Sequence, residues 1–305
     1  MHHILVFLKC NVILLTLTLI AISGCKKDED IPVPTAREKA VSDYYDHYIG
    51  SNVSDPGWTG DRINCIAGSV SQSTLDKVIQ RINYFRRLVG LNDNTTLDLS
   101  KSAMYQEAAL MMDANSSLSH SPPNTWKCWT QIGANGAASS NLSLGAHSSN
   151  AIRLFIEEPG QNNKEVGHRR WILHSTKTKF SFGTTNYAAS LAAFGIGEGN
   201  TLIPEFIAYP AKGFMPQTLV FPRWSFSIPN ADFSSATVFM NGPDGNVPLN
   251  IISATGPNYG DNTIVWEPQG VKINSDADLS YRVTIEGVKN TSRSSYNYTV
   301  TIFKP

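Results

Sequence analysis

Residues 73–90 read STLDKVIQRINYFRRLVG. Leu75, Val78, Ile79, Ile82, Phe85 and Leu88 recur at steps of three and four, with Arg81, Arg86 and Arg87 largely off that stripe, so the segment is a helix with one apolar face. Ser73, with Asp76 three residues on, offers a near capping-box start, and Gly90 supplies the stop. Downstream, a second helix is expected from near Asp98 or Ser100 to about Ser117, carrying Ala103, Met104, Ala108, Met111 and Met112. His120-Ser121-Pro122-Pro123 ends it, because the residue before a proline is pushed out of the helical region. Residues 124–150 show little regular pattern, with glycines at 133, 136 and 145. A third helix is expected over about 150–157, and a fourth segment over 166–173. Upstream, residues 51–72 read as irregular, and 36–50 as a short helix with Tyr44, Tyr45 and Tyr48 at helical spacing.

From Ser181 the pattern turns to short β-rich runs, including 191–196 and 206–209. Over the last 90 or so residues it is wholly β. Tyr281, Val283 and Ile285 alternate with Arg282, Thr284 and Glu286; Tyr296, Tyr298, Val300 and Ile302 alternate with Asn297, Thr299 and Thr301. Turn signals such as Asn241-Gly242-Pro243-Asp244-Gly245 separate the runs, as in a small immunoglobulin-like β-sandwich without the Cys…Trp…Cys hallmark. The expected organisation is a leader over 1–25, a tether with a short helix over 26–50, an α+β domain over 51–212 and the sandwich over 213–305.

The leader has a weakly basic start in His2, His3 and Lys9, an apolar run from Val12 to Ile22, and the close Ile22-Ser23-Gly24-Cys25. That close resembles the bacterial lipobox, which implies acylation of Cys25, palmitate included, and attachment to the outer membrane. The apolar run is shorter than the ~20 residues of a spanning helix. At roughly 0.8 kcal/mol per buried methylene, stable attachment takes more than one acyl chain. Lys26-Lys27-Asp28-Glu29-Asp30 is similar to a signal that carries bacterial lipoproteins to the cell surface, and Ile31-Pro32-Val33-Pro34 continues as a solvated tether. Charge balances, 25 Lys plus Arg against 25 Asp plus Glu, or 24 against 25 once Lys9 leaves, which points away from nucleic acid as a partner. With Cys10 removed and Cys25 acylated, Cys65 and Cys128 remain for one disulfide in an oxidising compartment.

The polar clusters that could carry chemistry are His120, Glu157-Glu158 and Gly167-His168-Arg169-Arg170-Trp171. Two imidazoles and a carboxylate meet the three-ligand count of an open zinc site if the fold gathers them. Otherwise each histidine caps a helix end or fills a polar hole.

Several motifs in order resemble the CAP superfamily of cysteine-rich secretory, antigen 5 and pathogenesis-related proteins, in its bacterial SCP-like form, over about 73–210. They are Ile82-Asn83-Tyr84-Phe85-Arg86, Gln106 with Ala108 to Met112, Ser119-His120-Ser121, Ser140-Asn141-Leu142, Ala151 to Glu158, and Gly167 to Leu173. The resemblance implies an α-β-α sandwich whose cleft holds His120, Ser140, Glu158 and His168, with Glu157 as fallback acid. It implies a metal set of His120, Glu158 and His168. Ser140 stands where the family has a glutamate, so the set loses a hard oxygen ligand, and if any ion is held there zinc is preferred to calcium or magnesium. The implied role is a cleft-type binding module for a small apolar or peptide ligand. The alternatives are a metal-assisted hydrolase or peptidase, with a Ser140–His168 nucleophile pair as a variant, and a structural envelope protein with a degenerate site. The binding module is the favoured reading, and an enzyme is not the leading expectation. Trp126 and Trp129 are expected in the core or over the cleft, Arg169 and Arg170 between helix and sheet, and Asn163 as a loop-shaping residue.

Overall fold

A computed structural model describes residues 33–199 and 201–305; the leader, Cys25 and the charged stretch after it lie outside the described residues. Among the described residues no helix is long and apolar enough to cross a membrane. Pro34–Pro305 forms one compact unit.

Helix α1 (Ala36–Asp43) opens on a full capping box between Thr35 and Glu38 and runs on through a π turn over Tyr44–Tyr48. Its Arg37 bonds Asp278 at 2.9 Å and lies over the Phe303 ring, so the first helix is clasped to the last strands. Helix α2 (Gln72–Leu88) matches the expected periodicity, but its cap is Ser71, whose side chain accepts from the Thr74 N–H. Arg81 and Arg86, expected off the buried stripe, are fully buried. The reason is a supply of oxygen acceptors: Arg86 donates to the carbonyls of Asn92, Ile172, His174 and Lys177, and Arg81 to the Tyr48 carbonyl and to the side chains of Ser51 (Oγ) and Asn52 (Oδ1). Irregular chain offers carbonyls that no ladder satisfies, and a guanidinium fork meets several at once.

Helix α3 (Ser102–Asn115) ends at Ser116, which takes a left-handed conformation with φ 47°. Helix α4 (Gln131–Ala138), α5 (Ser148–Glu157) and α6 (Gly167–Ile172) follow. A short parallel pair, β1 (Thr96–Leu97) and β3 (Lys179–Phe180), joins the ends of α2 and α6. The central sheet is antiparallel, β2 (Ser140–Leu144), β4 (Phe182–Thr184) and β5 (Ala188–Ala192), in the order β2-β5-β4. Along β5, Ala188 packs with the α3 residues Ala108, Met111 and Met112, whereas Ala189 and Leu191 join the core made by α2 and α5. Alternate residues therefore serve opposite helical layers, which is the α-β-α arrangement. The α3 layer lies so close that a Cβ on Gly183 would overlap the backbone of Gln106. Gln106 uses that closeness: its amide donates to Thr184 O at 2.8 Å and accepts from Thr184 N at 3.0 Å, completing the edge of β4.

The C-terminal part is a two-sheet sandwich. One sheet contains β6 (Ile207–Tyr209), β8 (Trp224–Ser227), β11 (Leu249–Thr255) and β12 (Thr263–Pro268), in the order β11-β12-β8-β6. The other contains β7 (Gly213–Pro216), β9 (Thr237–Gly242), β10 (Gly245–Asn246), β13 (Leu279–Glu286) and β14 (Ser295–Phe303), in the order β10-β9-β13-β14-β7. Within it β14 and β7 are parallel. Tyr281, Val283, Ile285, Tyr298 and Val300 face inward as their alternation requires, and meet Trp224 and Phe226 of the opposite sheet. The expected boundary at 212/213 falls between β6 and β7, which enter different sheets. The chain is thus α+β, a helix-flanked sheet followed by a β-rich region. One apolar core runs through both, from Ile82 and Phe85 by way of Tyr209 to Trp224 and Ile302.

The expected disulfide is present. Cys65 and Cys128 are bonded, with their Cα atoms 4.9 Å apart, and the bridge ties the irregular 51–71 segment to the turn before α4.

Candidate functional site

The site grows from the gap between α5 and α6. Glu158 ends α5 in a left-handed conformation (φ 58°), and Val166 precedes α6 in another (φ 48°). The two turns bring Glu158 under the start of α6. There Glu158 Oε2 lies 2.7 Å from His168 Nδ1, and Oε1 accepts the Arg169 N–H at 2.9 Å. The Glu158 side chain has no exposed surface, whereas that of His168 is 24 % exposed. A carboxylate can only accept here, so Nδ1 carries the proton, and in the neutral ring Nε2 is left with a free lone pair. The Phe155 ring, 5.3 Å away, flanks the imidazole, and Asn141 Nδ2 donates to the His168 carbonyl at 3.1 Å.

His120 reaches the same state by another route. Its Nδ1 donates to the carbonyl of Ala137 in the last turn of α4 at 2.8 Å, again leaving Nε2. Both imidazoles, with Ser140 and Asn141 at the start of β2, line one cavity of about 610 Å³. Glu158 is not on its wall and meets a ligand only through His168. Ser140 Oγ accepts from Ser190 Oγ at 2.9 Å, so among the described residues its side-chain partner is a hydroxyl rather than an imidazole. Glu157 pairs with Arg153 at 2.6 Å, one turn back along α5.

Helix α6 divides its side chains between two tasks. His168 and Trp171, three residues apart, share the cavity face. The two arginines between them are buried against the sandwich. Arg169 donates to Ile156 O, Arg223 O and Ser225 Oγ and lies 4.5 Å from the Tyr209 ring centroid. Burial lowers its pKa to about 10, which still leaves it charged at neutral pH. Arg170 holds the carbonyls of Gly256 and Asp261. The arginines therefore fasten the cleft helix to the sandwich, the expected helix-to-sheet role.

Trp126 and Trp129 pack against the Met111–Met112 cluster and are not part of the cavity wall. Asn163 does line it, with Nδ2 donating to Pro159 O at 2.7 Å, as a loop-shaping residue would. Sequence reasoning missed Gln161, Asn162, Phe194 and Tyr259, all on the wall. Phe194 had a faint signal, a lone aromatic before Gly195-Ile196-Gly197. Tyr259 had none, because nothing local ties a turn of the sandwich to a cleft ninety residues earlier.

The family model for CAP, the cysteine-rich secretory protein family, matches residues 79–194. Residues 79–194 therefore form a CAP domain. No curated protein matches the chain. The match spans His120, Ser140, Glu158 and His168 and stops at Phe194 on the cavity wall, so Tyr259 is the wall residue contributed from outside the CAP domain.

The residues fit a zinc ion only in part. Two imidazoles with Nδ1 tied to acceptors have the tautomer and outer-shell bonding that zinc histidines use. The CAP-domain acid, Glu158, is spent in that outer shell, and among the described residues no group of three His, Cys, Asp or Glu side chains is arranged to hold a metal. Three protein ligands are the usual minimum for an open zinc site.

Proposed function

We propose that the chain is a binding module whose CAP cleft takes a small ligand with both polar and apolar surface, held outside the cytoplasm by lipid on Cys25. The observation that carries the binding reading is the wall itself. It is a hollow of about 610 Å³ combining two oriented imidazoles, side-chain amides and three aromatic rings. This is the mixture that fixes orientation while burying a small molecule.

A hydrolase would need an activated nucleophile beside the base. The oriented His168 supplies half of that arrangement, and the Ser140 hydroxyl on the same wall is bonded to Ser190. Binding without turnover accounts for both facts.

The test is a melting-temperature screen of the chain from Lys26 to Pro305, which contains the whole compact unit, against zinc chloride, tri- and tetrapeptides, and tetrasaccharides. The expected result is that at least one probe raises the melting temperature of the parent, leaves that of the His120→Ala, His168→Ala double variant unmoved, and is recovered intact. A screen in which no probe distinguishes the two proteins, or in which the distinguishing probe is cleaved, overturns the reading. The lipid is checked separately. Labelled palmitate should enter the full chain in bacterial cells and not a Cys25→Ser chain, and equal labelling would remove the anchor.

A further inference from the structure

The wall residues outside the family's histidine–acid constellation narrow the ligand. Phe194 and Tyr259 keep 44 % and 39 % of their surface exposed, and Trp171 is half-buried with its ring 5.5 Å from that of Phe194. Aromatic rings left open and grouped around one hollow make the kind of exposed apolar patch that marks a ligand site. Beside them Gln161 and Asn162 present side-chain amides with no protein partner among the described residues, each able to donate and to accept. Lys164 and Glu165 complete that wall with charges that cancel.

Tyr259 is not a loose addition. Gly167, at the start of α6, lets its ring approach so closely that a Cβ there would come within 3.2 Å of it. The turn that carries it is gripped on both sides. Arg170 donates to Gly256 O and Asp261 O, and the Asp261 carboxylate accepts from Ser175 N and Ser175 Oγ at 2.8 and 2.9 Å. The sandwich therefore places an aromatic side chain on the wall of the CAP cleft through a rigid support.

A wholly apolar ligand would strip water from Gln161 and Asn162 and return no hydrogen bond, a net cost. An extended peptide is normally held by a run of strand-edge backbone, and here the wall offers only the first two residues of β2. A saccharide matches what remains. The C–H faces of its rings lie on aromatic faces, whose negative quadrupole attracts them, while its equatorial hydroxyls meet amides in both senses.

We propose that the ligand of this cleft is a neutral saccharide, stacked on Trp171, Phe194 and Tyr259 with its hydroxyls read by Gln161 and Asn162. The proposal rests on the cleft being a binding site. The experiment is calorimetric titration of the chain from Lys26 to Pro305 with chitotetraose, cellotetraose and maltotetraose, and with tetraalanine as the peptide arm. One of the saccharides should bind. Tyr259→Ala should weaken it by about tenfold or more, and Tyr259→Phe should retain it, because ring and not hydroxyl does the stacking. Phe194→Ala, a second exposed position, should weaken it likewise, and melting temperatures within a few degrees of the parent would show that the variants are folded. If tetraalanine binds in a His120-dependent way and the saccharides do not, the saccharide assignment falls and the binding module stands. If a saccharide binds equally to the parent and to both alanine variants, the aromatic platform falls. If nothing binds, both readings fall.

Discussion

At the scale of single residues, the decisive relation is the one between Glu158 and His168. The acid lies behind the imidazole and sets which nitrogen carries the proton. Glu158→Gln separates that function from packing. A glutamine of the same shape can still accept the Arg169 N–H through its oxygen, but it presents an NH₂ to His168 Nδ1. The neutral ring then satisfies its neighbour only by moving its proton to Nε2. The expected stability loss is modest, about 1–2 kcal/mol, because a charge-assisted pair becomes a neutral one while no buried group is orphaned. The chemical change is complete, since the cleft now meets a donor where it had an acceptor. Imidazole nitrogen chemical shifts should report Nδ1–H in the parent and Nε2–H in the variant, alongside a loss of any ligand that donates a hydrogen bond to Nε2 or is coordinated by it. A variant that keeps Nδ1–H would mean that Glu158 does not set the tautomer.

At the scale of elements, α4 shows why part of the chain could not be read in advance. Its sequence, QIGANGAA, looks irregular because glycine disfavours helices by roughly 1 kcal/mol against alanine. The glycine is needed for contact: a Cβ on Gly136 would overlap the backbone oxygen of Met104 in α3. Gly136→Ala should therefore destabilise in spite of the better propensity, by about 1–3 kcal/mol on urea unfolding, as overpacking does. It should also disturb the His120 ring signal, since α4 carries the carbonyl that orients it. Unchanged or increased stability would refute the close-approach account. By contrast α2, α5, β13 and β14 were legible, because each buries one face and its apolar period is local. The cap of α2 was misplaced by two residues, since Ser71 and Ser73 are equivalent in sequence and only the approach of the 51–71 segment separates them. In the site, the two histidines could be carried over from the family pattern. The orienting role of Glu158 could not, because it depends on two left-handed residues, and neither Glu158 nor Val166 is a residue type that announces one.

At the scale of the whole molecule, the question is whether the CAP domain stands without the sandwich. The expected boundary lies at residue 212, and the family match ends well before it, at 194. Physical continuity runs the other way. Tyr209 touches Phe85 of α2 on one side and Phe221 on the other, with ring centroids 6.4 and 6.0 Å apart. Removing residues 213–305 would take from the buried Arg169 its acceptors at Arg223 and Ser225, and from Arg170 those at Gly256 and Asp261. It would also leave β6 without its neighbour β8. The apolar core shared with Trp224, Phe226 and Ile302 would be opened to water at roughly 25 cal/mol per Å² exposed, and a folded domain holds only about 5–15 kcal/mol in reserve. The Cys65–Cys128 bridge, whose 63-residue loop is worth roughly 4 kcal/mol in the chain-entropy model, joins the 51–71 segment to the turn before α4 and cannot replace those contacts. The chain from 26 to 212 should consequently show no cooperative thermal transition, whereas 26 to 305 should show a single one. A truncated chain melting sharply near the temperature of the longer one would make the two parts independent, and Tyr259 would then be a neighbour of the cleft rather than part of it.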